Sequence, residues 1–149
     1  MFEIRGIDQV EQFEGFWQLW FPARALAITG QAIAEDARLR IEDDESDPEG
    51  SRWDPWSDNP TGRGYASTRG PQHKLLFGDG DLADSIMFKV QGAAYVVGSE
   101  LDYALVHQFG SKDGKISARA YVGVSDELEL AIDNILASDM DAAWGTVAA

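Results

Sequence analysis

His73 and His107 are the only imidazoles in the chain, and histidine is the usual general base near neutral pH. A base needs a nucleophile beside it. The chain has no cysteine, and no serine sits in a Gly-x-Ser-x-Gly elbow. His107 is therefore read as a structural histidine that bonds backbone between a helical turn and a loop, and His73 as an exposed loop residue. Two histidines without thiolates make no zinc set. Asp79, Asp81 and Asp84 invite calcium, but the spacing lacks the loop glycine and distal glutamate of an EF-hand. Turn and capping chemistry accounts for Gly78-Asp79-Gly80-Asp81. Glycosidase-type carboxylate pairs are not singled out among 26 acidic residues, since some pair will be close by accident. The expectation is no catalytic, cofactor or metal site, and a protein that is not an enzyme. The alternative, a small acidic-site hydrolase, requires a concave pocket holding a carboxyl of raised pKa.

At 149 residues and 44% hydrophobic content the chain has enough material for one core, and a single domain over 1–149 is expected. The 26 acidic residues face only 12 basic ones, a net charge of -14. That charge repels phosphate backbones and anionic membrane surfaces, so sequence-specific DNA binding is not expected and no membrane partner is either. Without cysteine, disulfides are excluded. Met1 to Val10 carries acidic residues and no continuous apolar run, so no secretory signal is expected. No stretch approaches the roughly 20 apolar residues of a membrane span. A soluble protein made in a cytoplasm is the corresponding expectation.

The elements divide by period. Residues 8–41 read as helical: Phe13, Phe16, Trp17, Trp20 and Phe21 form an aromatic stripe, and Pro22 opens a second helix at its first turn. Leu26, Ala27, Ile33, Ala37 and Ile41 share a face of that second helix. Gly30 lies within the face; a mid-helix glycine costs about 1 kcal/mol against alanine, which predicts a close helix contact there. Residues 42–73 read as a long irregular loop, opening on the acidic run 42–50 and carrying Trp53 and Trp56. From 85 to 124 the period is two. Ile86, Phe88 and Val90 alternate with polar or flexible neighbours, Gly92 turns the chain, and Tyr95 to Val97 returns. Leu101 to Phe109 predicts one or two helical turns, and Ala118 to Val124 a further strand. A last helix is predicted over 126–138, capped by Ser125 and faced by Leu128, Ala131, Ile132, Ile135 and Leu136, with a loose tail after Ser138. The fold class is α+β, a small antiparallel sheet packed against N-terminal and C-terminal helices, with a long irregular loop.

Three blocks, in order, carry a resemblance. The first is Asp47-Pro48-Glu49-Gly50-Ser51-Arg52-Trp53-Asp54-Pro55-Trp56. The second runs from Lys74-Leu75-Leu76 through Gly80-Asp81-Leu82-Ala83-Asp84-Ser85-Ile86. The third is Val97-Gly98-Ser99, Tyr103-Ala104, His107-Gln108-Phe109-Gly110 and Ala118-Arg119-Ala120-Tyr121-Val122-Gly123. Together they resemble the phage virion morphogenesis family, which includes tail-completion proteins of Mu-like and P2-like phages. Phe77-Gly78 and Ser117 depart from the family's pattern, Ser117 standing where a proline is usual.

The resemblance implies a structural virion protein at the head-tail junction, completing or terminating the tail and joining it to the head. Its implied partners are further copies of itself in a ring, sixfold by analogy, the tail tube protein, and head-tail connector or stopper proteins. DNA would pass through the ring without sequence-specific binding. The implied location is the virion, after synthesis in the host bacterial cytoplasm; the alternative is a transient assembly chaperone. Trp53 and Trp56, as aromatics in a loop, are candidate anchors of protein contacts. Phe109, Arg119 and Tyr121 join them from their motif positions. Gly98 and Gly110 are expected to set backbone geometry, beside the motif residues His107 and Gln108.

Overall fold

The spacing of Ile33, Ala34, Ala37 and Ile41 puts four apolar side chains on one helical face, and all four are buried. In the computed structural model, which describes residues 21–55, 74–92 and 94–148, they belong to α1 (Leu26–Leu39) and the wide turn after it. Helical turns of π type flank α1 at Phe21–Ala25 and Arg40–Asp44. Then follow α2 (Asp81–Ser85), β1 (Met87–Gln91), β2 (Ala94–Gly98), α3 (Ala104–Phe109) and α4 (Asp126–Ala148). The aromatic stripe from Phe13 to Trp20, Trp56 and His73 lie outside the described residues.

β1 and β2 form a two-stranded sheet, and Gly92 at φ 61° makes the reversal between them. Helices with a small antiparallel sheet are the α+β class expected. The described residues form two compact units. One comprises the stretches up to Ala32, Phe88–Val96 and from Asp126 onward; the other comprises Ile33–Met87 and Val97–Ser125.

In the first unit, Trp144 and Ala25 are buried together, with Leu136, Met140 and Ala143 packed around them. Arg24 donates two bonds to the carboxylate of Asp139, at 2.5 and 2.7 Å. The helix predicted to stop at 138 therefore continues to Ala148, because the burial of Trp144 at helical spacing from Leu136 and Met140 holds that last stretch. A Cβ at Gly30 would lie 2.8 Å from the ring of Phe88, so the mid-helix glycine marks a close approach, made by a residue of β1 and not by a second helix.

In the second unit, buried Arg40 bonds the Asp36 carboxylate four residues back (2.7 Å) and the carbonyl of Asp47. The acidic stretch after α1 is more ordered than a long loop implies. Its first residues complete a helical turn, and Ser46 and Arg52 then pair as an antiparallel bridge. Asp47 closes that bend: its carbonyl accepts from Gly50 N–H (3.0 Å), its carboxylate from Ser51 N–H (2.7 Å). Pro48 rests on Gly123, where a Cβ would come within 2.4 Å of the proline ring.

The strand predicted over Ala118 to Val124 is absent; this stretch lies in no strand. Its backbone groups are bonded by side chains and by a helix carbonyl, so no ladder is needed to satisfy them. That substitution builds the candidate site.

Candidate functional site

The site is a knot of three segments within the second unit: residues 53–55, helix α3 and residues 118–123. Gln108 makes the central tie. Its Oε1 accepts from the backbone N–H of Tyr121 (3.0 Å) and of Val122 (3.1 Å), and its Nε2 donates to the carbonyl of Val122 (3.0 Å). One amide side chain thus reproduces the donor and acceptor pattern that a neighbouring strand would offer. Arg119 N–H donates to the His107 carbonyl at 2.7 Å, and the Tyr121 hydroxyl to the Ala104 carbonyl at 3.1 Å. Both ends of α3 are therefore anchored to the 119–122 stretch.

The third segment joins through long side chains. Trp53 Nε1 donates to the carbonyl of Ala120 (3.0 Å), and the Arg119 guanidinium donates to the carbonyls of Asp54 (3.0 Å) and Pro55 (3.2 Å). Trp53, Arg119 and Tyr121 are all buried. These three were candidates for partner contact, but their surfaces face the chain's own interior and their polar atoms tie its segments together. Burial depresses the Arg119 pKa, partly offset by Asp54, and pushes the Tyr121 phenol up to about 12.

Gly110 ends α3 at φ 80°, and a Cβ there would meet the Ile116 carbonyl at 3.0 Å and Ala118 N at 3.1 Å. Both the backbone angle and the space require glycine. Gly98 differs. It closes β2, a Cβ would meet nothing within 4 Å, and its φ is outside the left-handed region, so the structure contains no reason for glycine there. Beyond Gly110, Ser111 and Asp113 close a small loop, with Ser111 N–H donating to the Ile116 carbonyl at 2.9 Å. The Ser111 hydroxyl and then Lys115 hold the Asp113 carboxyl below its usual range.

His107 was expected to bond backbone through its ring. Instead its main-chain carbonyl makes that bond, while the ring lies edge-on to Tyr103 at 5.8 Å and its buried Nδ1 has no partner. Burial first, and then the charge of Arg119, lowers its pKa below 6.5. No nucleophile is among the groups bonded around it. Among the described residues, no group of three His, Asp or Glu side chains is placed to hold a metal ion, and no helix is long and apolar enough to cross a membrane.

What the knot presents outward is apolar. Phe109 is 73% exposed and Leu105, four residues earlier on the same helical face, is 68% exposed. Sequence reasoning singled out Phe109 and passed over Leu105, although the i, i+4 spacing on a six-residue helix would have found it. These two large apolar side chains face water from a helix that is fixed at both ends.

No curated protein and no solved structure matches the chain. A family model matches residues 22–141, which span α1, the knot and most of α4. With this much of the chain covered, it belongs to the phage virion morphogenesis family.

Proposed function

We propose that the protein is a structural component of the virion at the head-tail junction, where it completes or terminates the tail and joins it to the head connector. Family membership supports a role in building phage particles. The observation that carries the finer reading is the use made of the motif residues. Gln108, Gly110, Arg119 and Tyr121 fix α3 so that Leu105 and Phe109 stand in solvent. Such a site acts through shape, with no bond made or broken. Its partners are further copies in a ring, sixfold by analogy, together with the tail tube protein and the connector or stopper. The net charge of -14 repels DNA passing through the ring and keeps it from adhering.

Electron cryomicroscopy of finished particles carrying a tagged copy tests the location. Tag density at the junction is the expected result. A protein required for joining but missing from finished particles would make it a transient assembly chaperone. Association with neither heads nor tails at any stage would overturn both readings.

A further inference from the structure

We infer that in the free protein the Leu105–Phe109 face of α3 pairs with the same face of a second copy, the two helices running antiparallel. The inference rests on reading this face as a contact surface and does not depend on the protein's place in the virion.

Three observations support it. The first is exposure: these two side chains are the most exposed large hydrophobics among the described residues. The second is charge. Copies that each carry -14 repel one another, but the stretch 100–121 holds three acids (Glu100, Asp102, Asp113) against two exposed bases (Lys112, Lys115) and buried Arg119, so its net charge is close to zero. Distant charge is screened beyond about 8 Å at physiological salt, so local neutrality governs whether two copies can touch there.

The third is the order of residues about His107. Leu105 and Phe109 lie two residues to either side of it, Asp102 and Lys112 five. A twofold axis near His107 sets Leu105 against the second copy's Phe109, and Asp102 opposite the second copy's Lys112. Each contact is then made twice, as an isologous interface requires. Asp102 and Lys112 are both exposed and lie before and after the helix.

The knot beneath α3 holds the face in one conformation, so little ordering opposes pairing. A contact centred on two side chains per copy falls below the roughly 1,200 Å² of total area that stable complexes bury, so the pair is transient and concentration-dependent. It also closes on itself at two copies. A ring needs heterologous contacts, so pairing and any ring contact through this face compete.

Sedimentation equilibrium of the full chain, from about 10 μM to on the order of 1 mM, reads the pair directly. The mass is expected to rise from one chain towards two and stop there. Phe109→Ser removes the rise. Asp102→Lys and Lys112→Glu each set like charges opposite one another and weaken pairing roughly tenfold, and the double exchange restores it. Circular dichroism melts check that these surface variants stay folded.

A single-chain mass at every concentration would overturn the inference. So would a pair that survives Phe109→Ser, a double exchange as weak as the single ones, or growth beyond two. None of these outcomes bears on where the protein sits in a particle, which the tagged-particle experiment decides separately.

Discussion

Gln108 is the residue on which the local architecture turns. Replacing it with alanine leaves Tyr121 N–H, Val122 N–H and the Val122 carbonyl without the partner each now has. Leaving a buried polar group unsatisfied costs about 1–3 kcal/mol, and water will reach some of these half-buried groups. Gln108→Ala is therefore expected to lose about 2–4 kcal/mol in urea unfolding, against well under 1 kcal/mol for exposed Lys112→Ala. His107 adds a pH dependence. Its folded pKa lies below 6.5, first through burial and then through Arg119, so the unfolded chain binds the proton more readily. Its contribution is complete above pH 6.5 and is lost as pH falls from there through the folded value. Urea midpoints measured from pH 8 to 5 should fall for the wild type, and less steeply for His107→Asn.

Among the elements, α4 and the 118–123 stretch show what sequence patterns can and cannot convey. The hairpin was legible, because alternation and Gly92 both act within a few residues. Gly30 was legible too, since a glycine inside an apolar helical face implies a near neighbour, here Phe88. The end of α4 was not: Trp144 holds the last turns by packing near Ala25, more than a hundred residues earlier, and no local signal reports that. The 118–123 stretch has a strand's composition, but its partner is the side chain of Gln108, which periodicity cannot reveal. Trp53 was misread for a related reason. An aromatic in a polar loop resembles an anchor for another protein until its indole is seen to bond Ala120 of the same chain. These buried tryptophans give a test at this scale. Trp53→Ala and Trp144→Ala should each cost about 3 kcal/mol or more on unfolding.

For the whole molecule, an acidic excess of -14 makes copies repel one another, and the near-neutral stretch around α3 is a place where that repulsion is locally weak. The chain carries a family signature whose polar residues mostly tie its own segments, and whose large exposed side chain, Phe109, points away from them. The proposed role requires that the face of Leu105 and Phe109 join the protein to the particle. The most direct test supplies the Leu105→Ser/Phe109→Ser double variant to a phage that lacks the wild-type protein, with products scored by electron microscopy. Folded variant protein with heads and tails accumulating apart is the expected result. Joined, infectious particles at wild-type yield would contradict it.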